Sequence, residues 1–226
     1  MTTILFSDHP CCTRGVATEF YKKNLSSAEA VSGLRKLLNE WHHLTTQIGI
    51  SYWLDAGTLI GANRSESLIP YDDDIDIGIL DEDMPALLKL KGSTDILDCN
   101  RDWMPVYETV NHVLRISPVW QEIRMEDDPC YWVDGKFVDK MTGLYIDLMV
   151  YHQLPQAQIT RKFPIGGKLP QYPWEWFFPL QTITFEGKLL SAPRMIDRYL
   201  ESEYVGGYLE PDHVFVGGRW IKKNIV

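Results

Sequence analysis

Two aspartates alternate along a short apolar segment of the chain, in a pattern that predicts a cation site. Asp74 and Asp76 are separated by a single isoleucine, so on a β-strand their side chains point to the same face of the sheet. Each carboxylate raises the free-energy cost of ionising the other. A hard divalent cation relieves this repulsion, because Mg²⁺ and Mn²⁺ bind oxygen ligands and keep positions open for substrate phosphates. The alternative interpretations are a solvated acidic strand end or a bare acidic turn around Asp72 and Asp73.

A third carboxylate, Asp147, lies within the apolar run from Tyr145 to Val150. A single aspartate in an apolar strand is costly to bury unless it is paired or coordinates a metal. No basic residue adjoins Asp147 in the sequence, which favours a role as ligand or base over a structural role. Three carboxylates on adjacent strands would hold one or two cations, which neutralise phosphates and align an attacking group.

A glycine-threonine pair precedes the acidic segment, at a point where a strand is predicted to pass into a helix. Gly57 lets the backbone approach a phosphate closely, and a helix that begins beside Thr58 offers free N–H groups and a positive dipole end. Such pairs occur in many turns. The position of this one, upstream of an acidic strand, favours a phosphate-facing turn.

The elements that position these residues follow from apolar spacing. Apolar residues at intervals of three and four predict a helix from Ser27, with a Ser-Ser cap and Glu29 in its first turn, that ends near Gly49. The other predicted elements are strands at 50–54, 74–79, 112–117, 120–125 and 144–151, a hairpin of 182–185 and 188–190, and helices at 59–62, 83–90 (capped by Asp83) and 192–204. The strands at 112–117 and 120–125 are predicted to pair with each other.

We predict an irregular N-terminal arm at 1–26 and one domain at 27–226, with a long loop at 152–180 that is rich in proline, glycine and aromatic residues. The aromatic side chains of this loop either pack against the core, stack on a base or enclose a quaternary ammonium group. They are Trp174, Trp176, Phe177 and Phe178.

Composition restricts the partner and the compartment. The 226 residues are 45% hydrophobic and 23% charged, with a net charge of −9 and no basic run, which argues against a nucleic-acid partner. The irregular spacing of Cys11, Cys12, Cys99 and Cys130 predicts free thiols in a reducing compartment. The chain shows no signal peptide and no run of about 18 apolar residues, so we predict no membrane span and a cytoplasmic location. A fragment of a secretory-pathway protein is the alternative.

The motifs together closely resemble the signature of the LicD family, which includes bacterial phosphocholine transferases, fukutin and fukutin-related protein. The resemblance is strongest over residues 54–79, which contain Asp55-Ala-Gly-Thr-Leu-Ile-Gly-Ala and Ile69-Pro-Tyr-Asp-Asp-Asp-Ile-Asp-Ile-Gly. It extends to the strand around Asp147 and to the segment from Phe178 to Tyr204, and so covers roughly residues 30–210. Residues 119–140 and 153–176 match no pattern of the family, and no cluster matches the zinc-binding cysteines of the fukutin-related type.

The resemblance implies an α+β fold, a nucleotidyltransferase-like mixed β-sheet core flanked by helices. It also implies metal-dependent transfer of a phospho-alcohol (phosphocholine or a phospho-polyol) from a CDP-activated donor to a sugar or glycan hydroxyl, with Mg²⁺ or Mn²⁺. By position, Asp74 and Asp76 match the family's metal-binding pair, and Asp147 matches its third acidic residue. Gly57 and Thr58 match the phosphate-facing turn, and Arg64 matches a basic residue placed to pair with a donor phosphate. Asp72 begins the acidic run and either binds a second cation or caps the loop. Either Asp147 or Asp76 would accept the proton of the acceptor hydroxyl.

Several alternatives remain at this stage. Arg115, Arg124, Lys162 and Lys168 are either phosphate or acceptor contacts or plain surface charges. The other function classes are transfer of NMP from an NTP, a sugar-nucleotide glycosyltransferase, and a non-catalytic binding protein of the same fold. The Gly-Thr turn favours the nucleotidyltransferase layout over a glycosyltransferase, and the presence of all three carboxylates argues against a non-catalytic relative.

Overall fold

The computed structural model describes residues 3–4, 25–70, 72–91, 103–123, 132–204, 207–211, 213–216 and 219–223. Among these residues, the α-helices are α1 (Ser27–Ile48), α2 (Ala56–Ser65), α3 (Met84–Leu88) and α4 (Ile196–Glu203). The strands are β1 (Thr3–Ile4), β2 (Leu25–Ser26), β3 (Tyr52–Leu54), β4 (Asp74–Leu80), β5 (Met104–Glu108), β6 (His112–Ile116), β7 (Gly135–Asp139), β8 (Tyr145–Leu154), β9 (Gln158–Thr160), β10 (Tyr172–Pro173), β11 (Gln181–Phe185), β12 (Lys188–Ala192), β13 (His213–Val216) and β14 (Arg219–Lys222). The four cysteines lie outside the described residues, so their predicted state stays a prediction. Within the part of the chain that the structure describes, no helix has the length and apolar character needed to cross a membrane.

Helix α1 begins and ends as its sequence predicts. The Ser26 hydroxyl accepts a hydrogen bond from the Glu29 amide, and the Glu29 carboxylate accepts one from the Ser26 amide, which completes a capping box. The helix ends at Gly49, whose φ of 73° is a left-handed conformation that glycine adopts without steric cost. Its apolar face, centred on Leu34, Leu38 and Trp41, is buried against the sheet.

The central layer is an eight-stranded mixed sheet with β8 at its middle. Strand β4 pairs with β8 in parallel and with β3 in antiparallel orientation. On the other side of β8, strands β7, β6 and β5 follow in antiparallel order. The last residues of β8 pair with the antiparallel strand β9, which in turn pairs with β10. The mixed sheet with flanking helices confirms the predicted α+β fold class.

A close approach between β3 and β4 explains one glycine of the acidic strand. Gly78 lies directly across from Trp53, whose indole ring occupies the space over it. A Cβ atom at Gly78 would stand 2.3 Å from that ring, far inside van der Waals contact. Trp53 also packs edge-on against Tyr151 of β8, with ring centroids 5.0 Å apart, so the site strands share a tightly packed layer.

Some predicted elements were wrong. Residues 118–121 form a turn, in which the Trp120 amide donates to the Ser117 carbonyl, and not the start of a strand paired with β6. The partners of β6 are β5 and β7. Asp83 makes no side-chain capping bond, because residues 81–83 form a 3₁₀ turn that leads directly into α3.

The predicted long loop at 152–180 is also wrong as a description of that stretch. It contains the end of β8, the strands β9 and β10 and a 3₁₀ helix at Trp174–Trp176. Gln156 and Ala157, both with positive φ, make the tight turn between β8 and β9. The aromatic side chains at 174–178 pack against the core: Phe177 is fully buried, and Trp174 stacks on Phe178 with ring centroids 4.1 Å apart. The predicted irregular arm at 1–26 carries β1 and β2 near its ends, and these pair with each other.

Candidate active site

Three aspartates meet where the parallel strands β4 and β8 lie side by side. Asp76 is directly opposite Asp147 in the register, and Asp74 lies two residues earlier on the same face. One carboxylate oxygen of each residue lies within 4.8 Å of those of the other two. The structure therefore brings together the three carboxylates that the sequence singled out, as strand alternation requires.

Burial and mutual repulsion make this cluster unfavourable without a cation. Burial, followed by the charge of the neighbouring aspartates, raises the pKa of Asp74 and of Asp76 well above the ordinary value. Burial also raises the pKa of Asp147, although Lys136 opposes the rise. Three converging carboxylate oxygens, of which only Asp147 has a cationic partner in Lys136 among the described residues, are a donor set that fits a hard divalent cation.

A second group of carboxylates adjoins the first. Asp72, Asp73 and Asp74 also have oxygens within 4.8 Å of one another, so Asp74 belongs to both groups. Burial raises the pKa of Asp72 to about 7 and that of Asp73 to about 6. Asp72 was predicted as a ligand and Asp73 was not, although it lies in the same acidic run. Two overlapping groups of carboxylates that share Asp74 are the kind of donor set found in two-metal sites.

The Gly-Thr turn holds Asp76 from two sides. The Gly57 amide donates to the Asp76 carboxylate over 3.1 Å, and the Asp76 amide donates to the Thr58 hydroxyl over 2.8 Å. A Cβ at Gly57 would lie 3.3 Å from that carboxylate, so this approach favours glycine. The preceding Ala56 has a φ of 40°, a left-handed conformation that is costly for alanine. Backbone strain is therefore present beside the site.

Asp55, which precedes this turn, is a buried anchor that the sequence indicated only as part of a turn. Its carboxylate accepts a hydrogen bond from the Ala56 amide over 2.8 Å and so caps α2. It also accepts from the Tyr151 hydroxyl over 2.7 Å and from the Tyr199 hydroxyl. The network ties the start of α2 to β8 and α4. The signal available in the sequence was the aspartate at an N-cap position before a helix.

Lys136 is the basic partner of Asp147 that the sequence did not reveal. It lies directly across from Asp147 on β7, is 4% exposed and forms an ion pair with that carboxylate. Its ammonium group also lies 3.9 Å from the centre of the Tyr145 ring. Because β7 is antiparallel to β8, this neighbour in space is eleven residues away in the chain. Asp147 thus has both a structural partner and a place in the carboxylate cluster.

The cluster opens into a cavity of about 510 Å³, within the ordinary range of roughly 300–1,000 Å³ for small-molecule sites. Its acidic lining comes from Asp74, Asp76 and Asp147, beside Ala56 and Gly57. The rest of the lining is Met149, Arg161, Phe163, Pro164, Ile165, Gly166, Glu203 and Tyr204. The cavity lining therefore combines a carboxylate cluster with apolar surface and one guanidinium group.

Comparison with known proteins agrees with this geometry. The sequence profile of the LicD/FKTN/FKRP nucleotidyltransferase domain matches residues 49–195, which is more than half of the chain and includes both acidic strands. The chain belongs to the LicD/FKTN/FKRP family. Membership confirms the resemblance and the nucleotidyltransferase fold that were inferred from residues 54–79.

Two relatives of this LicD-family chain have names that describe transferases. Human ribitol 5-phosphate transferase FKRP is 25% identical over 166 residues, which cover 72% of this chain and 29% of the relative. The lipopolysaccharide cholinephosphotransferase LicD of Haemophilus influenzae is 44% identical over 55 residues, 24% of this chain and 21% of the relative. The chain thus spans less than a third of the length of these relatives. A solved structure, the lincosamide antibiotic adenylyltransferase LnuA with lincomycin bound, has 14% identity and a TM-score of 0.40, over 76% of this chain and 85% of that one.

The other predicted residues of the LicD family site lie in different surroundings. Thr58 is 2% exposed and Arg64 is half-buried in the last turn of α2, and neither belongs to the cavity lining. Lys162 is fully buried and paired with Asp134 at 2.6 Å, so it is neither a surface charge nor a cavity residue. Arg115 is half-buried on β6, Lys168 is exposed, and Arg124 lies outside the described residues.

Proposed function

We propose that this LicD-family domain is a metal-dependent phosphotransferase. It moves a phospho-alcohol from a CDP-activated donor to a hydroxyl of a sugar or glycan. The observation that carries the proposal is the set of three carboxylates, with oxygens within 4.8 Å of one another, at the wall of a cavity large enough for a small-molecule donor. The transferase names of the relatives and the family match at this segment support it.

In this proposal Asp74, Asp76 and Asp147 hold a divalent cation, Mg²⁺ or Mn²⁺, and Asp72 and Asp73 add ligands for a second. A bound cation supplies charge neutralisation at the donor diphosphate and at the leaving nucleotide. Gly57 and Thr58 fix the carboxylate and the backbone of Asp76 through the two hydrogen bonds described above. They therefore orient Asp76 as a metal ligand, and Gly57 also lies on the cavity wall.

The reaction is an exchange of bonds at one phosphorus atom. The oxygen of the acceptor hydroxyl forms a bond to the phosphorus of the phospho-alcohol, and the bond from that phosphorus to the bridging oxygen of the donor breaks. CMP leaves with the electron pair of the broken bond. The proton of the acceptor hydroxyl passes to a carboxylate of the cluster, Asp147 or Asp76, which face the cavity.

A product assay tests the proposal and identifies the donor. The protein is incubated with Mg²⁺ or Mn²⁺, a set of sugar acceptors and a panel of CDP-alcohols, CDP-sugars and NTPs, and released nucleotides are separated by chromatography. We expect CMP from one CDP-alcohol and its loss, by about a hundredfold or more, in Asp76→Asn. Asp197→Asn, an exposed aspartate of α4 outside this cavity, is the matched control and should keep the activity.

The other outcomes point elsewhere. Release of pyrophosphate from an NTP would move the assignment to nucleotidyl transfer. If no donor reacts, and neither metal nor cytidine nucleotide raises the melting temperature, the domain is a binding protein that retains the fold.

A further inference from the structure

One guanidinium group lines the same cavity as the carboxylates. Arg161 follows β9 directly and is 2% exposed, yet it belongs to the cavity lining together with Asp74, Asp76 and Asp147. A buried arginine stays charged, because its pKa lies far above neutrality. The cavity therefore has a fixed positive charge in its wall in addition to its acidic cluster.

The guanidinium is held in place from several directions. One terminal nitrogen pairs with the carboxylate of Glu203, the last residue of α4, and the other lies against the sulfur of Met149. Glu203 is itself fixed, since it accepts a hydrogen bond from the Tyr172 hydroxyl. The guanidinium carbon lies 5.2 Å from the centre of the Phe163 ring, which restrains its plane. Arg161 is therefore oriented before any ligand binds.

The hydrogen-bonding capacity of Arg161 is not used up. Its Nε atom is buried and has no hydrogen-bond partner among the described residues. An arginine has five N–H donors arranged in a fork that matches phosphate oxygens. Leaving a buried donor of a charged group unpaired is costly, so Arg161 keeps hydrogen-bonding capacity that its protein partners do not use.

The buried pair Lys162–Asp134 shows what a purely structural ion pair looks like in this fold. Both side chains are fully inaccessible, and the Lys162 ammonium also donates to the Val119 carbonyl over 2.7 Å. Neither residue lines the cavity. Arg161 is the preceding residue in the chain but lies in the cavity lining, as does its partner Glu203. This difference separates a ligand-binding residue from a packing pair.

We propose that Arg161 binds the diphosphate of the donor, and that Glu203 is the positioning residue that holds it. The inference rests on the proposed function, because it names the side chain that contacts that donor. The division of work follows from charge: the carboxylates hold the cation, and Arg161 donates to phosphate oxygens that the cation leaves free. The apolar residues beside Arg161 in the cavity lining then enclose the guanidinium and the bound diphosphate and exclude water from them.

Direct binding measurements test this with three probes. Isothermal titration in the presence of Mg²⁺ is run with CDP, with inorganic pyrophosphate and with cytidine, which lacks phosphate. The variants are Arg161→Lys, which keeps the charge beside Glu203, and the double variant Arg161→Met with Glu203→Gln, which removes both charges of this ion pair together. Arg198→Met, an exposed arginine of α4, is the matched control. Melting temperatures show which variants are folded.

We expect the folded Arg161 variants to bind CDP and pyrophosphate about ten- to a hundredfold more weakly, because bonds to a charged group are lost. Their affinity for cytidine and Mg²⁺ should stay unchanged, as should all affinities of Arg198→Met. If a folded variant binds CDP within twofold of the original chain, Arg161 has no role in binding the diphosphate, and the proposed function stands. If the original chain binds pyrophosphate through Arg161 but no cytidine nucleotide, the CDP donor is wrong and the role of Arg161 stands. If the original chain binds neither CDP nor pyrophosphate, both proposals fail.

Discussion

At the scale of single residues, the site depends on pairs that compensate buried charge. Lys136 is the clearest case, because it and Asp147 are both buried and no other cation pairs with that carboxylate among the described residues. Removing one partner of such a pair leaves the other charge uncompensated, which costs much more than the pair itself contributes. A divalent cation at the cluster would offer Asp147 a second partner.

Replacing Lys136 should therefore destabilise the metal-free protein more than the metal-bound one. We expect Lys136→Met to lower the free energy of unfolding by about 3–5 kcal/mol without metal, and Mg²⁺ to restore more of the melting temperature than it adds to the original chain. Thermal melts with and without Mg²⁺ measure both effects.

The matched control is Lys140→Met, which removes an ion pair with the exposed Glu108 and should cost much less stability than Lys136→Met, because solvent screens an exposed pair. An equal loss in the two variants would mean that Lys136 does not compensate the burial of Asp147.

Thr58 should act on the cation through Asp76. Thr58→Val keeps the shape but leaves the Asp76 amide without its acceptor, so we expect a loss of about 1–3 kcal/mol in the free energy of unfolding and weaker Mg²⁺ binding. Thr58→Ser keeps the hydroxyl and should preserve Mg²⁺ affinity. Titration with Mg²⁺, followed by calorimetry, distinguishes the variants. Unchanged affinity in Thr58→Val would limit this residue to folding.

At the scale of elements, the strands that carry the site are joined by very close packing. The indole of Trp53 lies where a side chain at Gly78 would be, so β3 and β4 fit only with glycine on that face of the acidic strand. Asp74, Asp76 and this contact lie on one strand, and a distortion of the contact would move these two carboxylates. Packing of β3 is thus a condition for the geometry of the cluster.

Gly78→Ala should overpack this contact and lower the free energy of unfolding by about 1–3 kcal/mol. Chemical denaturation measures the loss. If the indole is the cause, a smaller residue in Trp53→Leu should reduce the effect of the alanine, and the double variant should be more stable than the sum of the two changes predicts. Simple additivity would locate the effect elsewhere.

At the scale of the whole molecule, the metal-free domain carries half-buried acids whose pKa values are raised. Burial raises the pKa of Asp72 to about 7 and of Asp73 to about 6, so the folded state binds more protons than the unfolded state between about pH 4 and pH 7. The stability that these protons maintain is fully present below the unfolded pKa and is lost as pH rises through the folded one. We therefore expect the melting temperature of the metal-free protein to fall between pH 5 and about pH 7.5.

Melting curves at several pH values, with a chelator or with excess Mg²⁺, check this expectation. Mg²⁺ should flatten or reverse the fall, because a cation stabilises the ionised carboxylates. Asp72→Asn should reduce the slope in the chelator series. A melting temperature that rises steadily from pH 5 to 7.5 without metal would contradict the assignment of these carboxylates to a repulsive cluster.

The sequence predicted what is encoded locally. Strand alternation placed Asp74 and Asp76 on one face, and the helix cap at Ser26 set the start of α1, because both depend on residues a few positions apart. Pairings across the sheet could not be predicted in this way. Lys136 meets Asp147 through antiparallel register, and Arg161 meets Glu203 across 42 residues of chain. Strand β5 was not predicted from the sequence. Residues 120–125 were predicted instead to pair with the strand that became β6.

The register of β8 has a consequence for how this domain tolerates change. Asp76, Asp147, Lys136 and Arg115 stand in one transverse row over four strands. Inserting a single residue before Asp147 within β8 would turn this carboxylate to the opposite face, toward the helix-covered core. Inserting many residues between the strands would leave the row intact, at roughly 0.6 kcal/mol for each doubling of a flexible loop. The site thus depends on which face of the sheet each of these side chains points to. Related sequences can therefore differ widely in the lengths of their loops, while the alternation of side chains along each of these four strands must be kept.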